Sequence, residues 1–181
     1  MLDKTDLPLI IEALLLAANR AMSIQEIICI FDEAERPVSK DIEAAIEILQ
    51  QQNRQRGIEL IKVANGYQYQ SKQKFAHLIA KLWQEKPPKY SRAFLETLAL
   101  IAYRQPITRG EIEQIRGVTI SSHIFKTLQE EREWIKIIGH KDVPGKPGLY
   151  ATTKEFLTYF GLEKLEQLPP LPQIMELLTN T

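Results

Sequence analysis

Residue types that most often perform catalysis or bind metals are few in this sequence, and they lie far apart. The three histidines are His77, His123 and His140, and their spacing to one another and to the single cysteine fits no metal site. That cysteine, Cys29, lies in the apolar run 27–31, where a buried small side chain is more common than a reactive thiol. The glutamates within residues 130–133 are explained most simply as the solvated end of a helix. We therefore predict no metal, no cofactor and no catalytic residue.

Glycine patterns of nucleotide-binding proteins and hydrolases are also missing. The nearest match to a phosphate-binding loop is the stretch 139–147, which has too many residues between its two glycines. Pro147 also replaces the Ser or Thr that would bind magnesium there. A Gly-x-Ser-x-Gly turn, which holds the nucleophile of many hydrolases, is absent. The sequence therefore predicts a protein that is not an enzyme.

Composition places the chain among ordinary globular proteins. Of 181 residues, 23 are basic and 23 are acidic, and 44% are apolar. A chain without excess positive charge is not suited to coat nucleic acid or an acidic membrane. The first residues lack the basic region of a signal peptide, and the longest uncharged apolar run, residues 13–18, is far too short to span a membrane. We expect a soluble cytoplasmic protein that contacts no membrane.

The elements that must position any functional surface occur in two copies. Ile11–Leu14 resembles Leu95–Leu98, which lies 84 residues further along the chain. Each copy continues with a helix-starting capping box, Ser23–Glu26 in the first and Thr108–Glu111 in the second. Matching start signals at matching places indicate a duplicated unit.

The first copy predicts three helices, a β-hairpin and a last short helix. Asn65-Gly66 is typical of a type I′ hairpin turn, and Gly57 is well placed as a left-handed helix cap. Helical or alternating apolar spacing predicts helices over residues 7–18, 23–31 and 39–56, strands over 58–63 and 67–71, and a helix over 75–82.

The second copy predicts the same order. Gly117 ends its second helix, and a third capping box at 152–155 opens a short last helix. The predicted elements are helices over residues 91–103, 108–116 and 121–131, and strands over 135–140 and 149–151. In the first of these helices, the residues expected to face inward are Leu95, Leu98, Ala99 and Ala102.

Three helices followed by a hairpin is the order of a winged-helix domain. We predict a mainly α fold of the α+β class, with two tandem winged-helix domains that each have three helices and a β-hairpin wing. The domains are expected at residues 1–86 and 90–163, joined by the proline-containing linker 84–89. Residues 164–181 are expected to form an extended or mobile tail.

Basic residues could give weak contacts with DNA. Neither predicted third helix has the cationic face with which a winged helix reads the major groove. The second wing is basic, and a mixed-charge solvated surface is the simpler interpretation of it. The residues that could touch phosphates are Lys136, His140, Lys141 and Lys146.

Two helices carry more apolar residues than one buried face needs. Leu9, Ala13 and Leu16 lie opposite the main apolar face of the first helix and could meet another copy of the chain, or other helices of their own domain could cover them. The first helix of the second domain has a second apolar stripe rimmed by Arg104 and Arg109. It could bind a peptide or belong to the domain core; its residues are Phe94, Thr97 and Ile101, widened by Leu100 and Tyr103.

Long stretches of the second domain can be compared with known families. They are Leu95–Arg109, Glu111–Glu113, Ile115–Val118, Gly139–Pro147, Leu149-Tyr150, Glu155–Leu157 and Phe160–Leu162, with a looser match at Ile11–Leu15. These stretches resemble the segregation and condensation protein B family of bacteria. The likeness covers roughly residues 7–172.

This resemblance implies a non-catalytic subunit of the bacterial SMC–kleisin condensin complex that acts in chromosome condensation and segregation. Such proteins form homodimers, largely through the first domain, and bind the central segment of the kleisin, segregation and condensation protein A. They reach the SMC ATPase through the kleisin, in the cytoplasm at the nucleoid. The alternative is a DNA-binding winged-helix transcriptional regulator. Carried onto this sequence, the kleisin-binding neighbourhood in the second domain is Phe94, Leu98, Ile101, Tyr103, Arg104, Pro106, Ile107 and Arg109.

Overall fold

The chain folds into two compact units, Met1–Pro87 and Pro88–Thr181. The computed structural model describes residues 6–82 and 90–170. The predicted linker 84–89 and residues 171–181 of the predicted tail lie outside the described residues.

The first unit has three helices followed by a hairpin. Its elements are α1 (Leu7–Ala18), α2 (Ile24–Ile30), α3 (Ser39–Gln52), β1 (Ile58–Val63), β2 (Gly66–Ser71) and α4 (Ala76–Ile79). The core lies where one face of α1, α2 and α3 meets β1. Its fully enclosed side chains include Ile11, Ile27, Ile42 and Leu49.

The predicted capping box at the start of α2 is present. The Glu26 N–H donates to the Ser23 hydroxyl over 3.1 Å, and the Ser23 N–H donates to the Glu26 carboxylate over 2.7 Å. The hydrogen bond from the Ser23 backbone and then the one from Arg20 lower the pKa of Glu26. The expectation that Cys29 is buried is wrong, because its side chain on α2 is exposed. Ile27, two residues earlier, takes the inward position on this short helix.

The end of α3 differs from the prediction. Gly57 is not a left-handed cap, since α3 ends at Gln52 and the left-handed glycines lie elsewhere among the described residues. Side chains satisfy the carbonyls at this helix end instead. The Asn53 amide donates to the Leu49 carbonyl over 2.7 Å, and the Lys72 ammonium donates to the carbonyls of Asn53 and Arg54.

The first wing is the antiparallel hairpin of β1 and β2. Val63 lies opposite Gly66, so the loop is Ala64-Asn65 and not Asn65-Gly66. The predicted type I′ turn is therefore wrong, because that turn needs positive φ at both loop residues and Asn65 is not among the positive-φ residues. Gly66 has φ +129°, and a Cβ there would lie 2.1 Å from the Met22 carbonyl oxygen. That close approach lets Met22 and Tyr67 exchange two backbone hydrogen bonds, of 3.0 and 2.8 Å.

The second unit repeats this order with one more strand. Its elements are α5 (Arg92–Arg104), β3 (Ile107–Thr108), α6 (Arg109–Arg116), α7 (Ser122–Lys126), β4 (Ile135–His140), β5 (Gly148–Thr152) and α8 (Lys154–Tyr159). A π-helical turn, Thr127–Glu131, extends α7. The strands form an antiparallel sheet in the order β3-β5-β4.

The face of α5 that points inward is only partly the predicted one, because Leu98 and Ala102 are buried as expected and Leu95 is not. Phe94, Thr97 and Ile101 are buried, whereas Leu95 is 38% exposed. The cause is the aromatic core of this unit, in which Trp134 lies 6.2 Å from the Phe94 ring, centroid to centroid. The interpretation of Phe94, Thr97 and Ile101 as an exposed stripe is therefore wrong, and the alternative that they belong to the core is right.

Two helix-end signals of the second unit are confirmed and one is shifted. Thr108 and Glu111 form the predicted capping box, and Gly117 ends α6 in the left-handed conformation. The cap of α8 is Thr153 and not Thr152, without a reciprocal bond from Glu155. Thr152 cannot cap α8 because it is the last residue of β5 and its N–H donates to the Gln105 side chain over 2.7 Å.

The predicted tail begins with ordered structure. Residues 164–170, which we call the strap, contain a 3₁₀ turn at Leu165–Gln167. Leu165 and Leu168 pack against the core of the second unit. The boundary predicted at residue 163 is therefore too early, because the core still needs these two leucines to cover it.

Each unit thus has three helices followed by a hairpin wing, and the predicted α+β class is confirmed. No helix within residues 6–82 or 90–170 is long and apolar enough to cross a membrane.

Candidate functional site

The first candidate surface is the outer face of α1. Leu9 is 61% exposed and Leu16 is 51% exposed, and Ala13 between them is exposed as well. These positions are four and three residues apart, so they share one side of the helix. The alternative that other helices of the same unit cover this side is wrong. Ile11 and Leu15 fill the opposite, buried side.

A shallow cavity lies next to the start of α1. Its volume is about 160 Å³, and it lies between α1 and α3. Its lining is mostly apolar and consists of Leu7, Pro8, Asp41, Ala44, Ala45 and Ile48. The residues of the outer face of α1, Leu9, Ala13 and Leu16, are not part of this lining.

The second candidate surface is the neighbourhood predicted around α5. Half of its eight predicted residues are core residues whose side chains a partner cannot reach: Phe94, Leu98, Ile101 and Ile107. These four side chains can affect binding only by determining where the exposed residues above the core lie.

The other four predicted residues reach solvent to different degrees. Arg104 and Pro106 are exposed, and Tyr103 is half-buried. The Gln105 side chain fixes the chain here, because its amide nitrogen donates to the Ala102 carbonyl and to the Thr152 hydroxyl, each over 3.1 Å. The end of α5 is thereby tied to β5, and Tyr103, Arg104 and Pro106 form one short exposed segment.

Arg109 is held by its own unit. Its guanidinium lies 3.0 Å from the Glu113 carboxylate, donates to the Ser122 hydroxyl over 3.2 Å and also donates to the Ile120 carbonyl. The backbone hydrogen bond from Ile120, followed by the one from Arg109, lowers the pKa of Glu113. These bonds join α6 to the start of α7, so Arg109 stabilises the second unit itself.

Tyr103 already has an intramolecular partner. Its hydroxyl donates to the Pro169 carbonyl in the strap. Burial raises the pKa of the Tyr103 phenol. The sequence reasoning missed this contact, although the spacing of Leu165 and Leu168 is a signal for a short turn with one apolar side.

The basic second wing is exposed to solvent. Its residues are Lys136, His140, Lys141 and Lys146. One of these charges is paired, since the Lys141 ammonium lies 2.5 Å from the Glu111 carboxylate on α6. The bond from Lys141 and then the bonds from Thr108 lower the pKa of Glu111 to about 2. The cationic surface available to a phosphate is therefore smaller than the sequence suggests.

Catalytic or metal-binding clusters do not stand out in the part of the chain that is described. Within residues 6–82 and 90–170, no group of three or more His, Cys, Asp or Glu side chains is placed to hold a metal ion. Exposed aromatic residues are a further feature that the sequence reasoning missed. Tyr159 and Phe160 pack beside Trp134 at the end of α8.

Comparison with known proteins gives a consistent result. A family model described as "Segregation and condensation complex subunit ScpB" matches residues 9–171. The chain is 48% identical over 170 residues to the segregation and condensation protein B homolog of Coxiella burnetii, which covers 93% of this chain and 80% of that protein. It is 40% identical over 182 residues to segregation and condensation protein B of Clostridioides difficile, with 99% of each chain covered.

Among solved structures, a dimer of a ScpB N-terminal domain complexed with a ScpA peptide is 29% identical and has a TM-score of 0.38. That match covers 42% of this chain and 93% of the other. The family match spans both units, and the relatives match over most of their own length. This chain therefore belongs to the ScpB family of segregation and condensation complex subunits.

Proposed function

We propose that this chain is a non-catalytic, dimeric adaptor of the bacterial SMC–kleisin condensin complex. It binds the central segment of the kleisin, segregation and condensation protein A, and reaches the SMC ATPase through it at the nucleoid. Membership of the ScpB family over residues 9–171 carries the proposal. The two candidate surfaces give it a physical form.

The first unit provides the dimer contact in this proposal. Leu9 and Leu16 are large apolar side chains that α1 leaves exposed, with the small Ala13 between them. A small residue at the centre lets two helices approach closely. A twofold contact would cover four leucines that are already about half buried, so each would contribute about half of the 1.5–3 kcal/mol of full burial. That gain is large enough to offset much of the free-energy cost of association.

The second unit provides the kleisin contact. Tyr103 and Arg104 belong to residue types that often dominate binding energy, and Pro106 beside them is exposed. Arg104 is exposed, and within the described residues no ion pair holds its guanidinium. An apolar peptide with an acidic or carbonyl-rich flank would complement this segment.

DNA is at most a weak partner in this proposal. α7, the helix that a winged helix would place in the major groove, has five residues, with His123 and Lys126 as its basic groups. Arg109, Arg116 and Lys141 each lie within ion-pair distance of a glutamate. A surface with this pairing has little net charge to offer a phosphate backbone.

The test is calorimetry of the full-length chain with its kleisin at about physiological salt, repeated at higher salt. We expect salt-tolerant binding with two of these chains per kleisin. Arg104→Ala should weaken binding by about 1–2 kcal/mol, the usual range for a hot spot, and Tyr103→Ala should do the same. Lys126→Ala, which removes an exposed cation on α7, is the matched control. Binding to duplex DNA that falls steeply with salt, without kleisin binding, would instead support the transcriptional regulator.

A further inference from the structure

The strap is a folded segment and not a loose end. The Gln167 side-chain oxygen accepts from the N–H groups of Glu163 and Lys164, over 2.7 and 3.3 Å. The Leu168 N–H donates to the Leu165 carbonyl over 3.0 Å. These bonds make a compact turn that presents two leucines, three residues apart, to the same side.

That side of the strap contacts the unit where partner binding is proposed. Leu165 and Leu168 pack against the same core cluster as Leu100 and Tyr103 of α5. Directly after the second leucine, the Pro169 carbonyl accepts the hydrogen bond of the Tyr103 hydroxyl. The strap therefore satisfies the polar group of Tyr103 and covers the apolar surface beside it.

We propose that the strap is a built-in competitor that occupies part of the kleisin-binding surface and is displaced when the kleisin binds. This inference rests on the proposed function, and it adds a regulation of the same surface. It also specifies the partner's chemistry. The kleisin segment presents two aliphatic side chains one turn apart, followed by a backbone carbonyl that accepts from Tyr103.

The strap has few enough contacts with the second unit to be displaced from it. Leu165 and Leu168 are only partly buried, and the other residues of the strap are exposed. Pro169 and Pro170 have no N–H group and cannot donate backbone hydrogen bonds to the unit. Displacement then costs the burial of two leucine side chains and one hydrogen bond, which the aliphatic residues and carbonyl of the kleisin replace.

A variant that loosens the strap without touching the binding surface tests the proposal. Gln167→Ala removes the side chain that fixes the turn, and Glu166→Ala, at an exposed neighbour, is the matched control. Calorimetry with the full-length chain and the kleisin should show about three- to tenfold tighter binding for Gln167→Ala, because more molecules are open before binding. Glu166→Ala should bind as the parent chain does. Unchanged or weaker binding by Gln167→Ala overturns the proposal.

Hydrogen exchange on the parent protein gives a second test. Kleisin binding should speed exchange of the Leu168 amide, whose hydrogen bond closes the turn. Slower exchange would mean that the strap is part of the bound interface and would overturn the competition. If Arg104→Ala weakens binding while Gln167→Ala changes nothing, the competition by the strap is wrong but the proposed function stands. If the parent chain does not bind the kleisin at all, the proposed function fails with it.

Discussion

The first helices of the two units resemble each other in sequence, but different sides of them are buried. Ile11 is enclosed in the first unit, whereas Leu95, 84 residues later, is 38% exposed. Ala13 is exposed, whereas Thr97, at the same shift, is fully buried. A repeated motif therefore fixes that a helix forms, and the surrounding core decides which side of it faces solvent.

The two cores explain the difference. In the second unit, Trp134 and Phe156 need a large apolar surface, and α5 supplies it with Phe94 and Ile101. The first unit has a mostly aliphatic core, to which one side of α1 contributes Leu7, Ile11 and Leu15. The same ancestral arrangement thus has a helix with an open apolar side in one unit and a helix turned into an aromatic core in the other.

A second difference lies in how each wing is attached. β3 pairs with β5 over two residues, Ile107 and Thr108, in the second unit. In the first unit, a single bridge between Met22 and Tyr67 takes that place. The shorter connection leaves the first wing dependent on the close approach at Gly66.

The largest effect is expected at that approach. Gly66→Ala should lower the free energy of unfolding of the first unit by about 3 kcal/mol or more, because a Cβ clashes with the Met22 carbonyl, strains a positive φ and separates two hydrogen bonds. Urea unfolding measures the change. Gly148→Ala in the second wing is the matched control, since its Cβ approaches only the flexible Ile137 side chain, at 3.1 Å. Equal effects of the two variants would mean that the bridge does not hold the first wing.

The open side of α1 should control self-association. Leu16→Asp is expected to raise the dimer dissociation constant by about 100-fold or more, because an unpaired carboxylate would be buried in the contact. Leu95→Asp on α5 makes the same change at an exposed position of the second unit and should leave the dimer intact. Sedimentation equilibrium distinguishes them. A dimer unchanged by Leu16→Asp would rule this face out, and an unfolded variant would place Leu16 in the core.

Exchanging the residues at matching positions tests the two faces directly. The Thr97 hydroxyl donates to the Ala93 carbonyl over 2.7 Å and accepts from Arg116 over 3.3 Å. Thr97→Ala should therefore cost about 1–2 kcal/mol of stability, since Arg116 is largely buried and loses a partner. Ala13→Thr, on the exposed face, should change the stability of the monomer by about 0.7 kcal/mol or less, the difference in helix propensity, so it is measured at a concentration below the dimer dissociation constant. Thermal unfolding of both variants checks this, and a costly Ala13→Thr would contradict the open face.

The two capping boxes should respond differently to acid. Glu111 has a pKa of about 2 in the folded chain against an ordinary 4.5, so it stabilises the fold above pH 4.5 and loses that contribution as the pH falls towards 2. Because Glu111 is partly exposed, we expect about 1 kcal/mol. Urea unfolding of Glu111→Gln should show this deficit at neutral pH and little deficit near the folded pKa. Glu26→Gln should show a smaller deficit, because among the residues that the structure describes no lysine of a wing pairs with Glu26. A deficit independent of pH would assign the effect to lost packing.

Local signals in the sequence predicted the fold well. The strands at 58–63 and 135–140 occur as predicted because they are rich in β-branched apolar residues and turn residues follow them. The capping boxes at Ser23 and Thr108 are also confirmed, since a hydroxyl and a glutamate three residues apart satisfy helix-end N–H groups with no help from distant residues.

The sequence could not predict what depends on distant packing. On α5, both sides of the helix are apolar enough to be buried, and only the arrival of Trp134 decides between them. Phe94 and Ile101, two of the predicted kleisin-binding residues, lie in the core for this reason. The strap was missed because the prolines of the predicted tail, Pro169, Pro170 and Pro172, indicated an extended segment. The contribution of Arg104 and Tyr103 to binding stays a prediction.

The aromatic core of the second unit also makes the two halves of the chain optically different. Trp134 is 2% exposed and lies between the rings of Tyr90, Tyr159 and Phe160. The sequence has one other tryptophan, Trp83, so Trp83→Phe leaves a single indole fluorophore. Its emission would report melting of the second unit alone, while circular dichroism records the helices of both. One denaturation experiment could then follow each half of the duplicated chain separately.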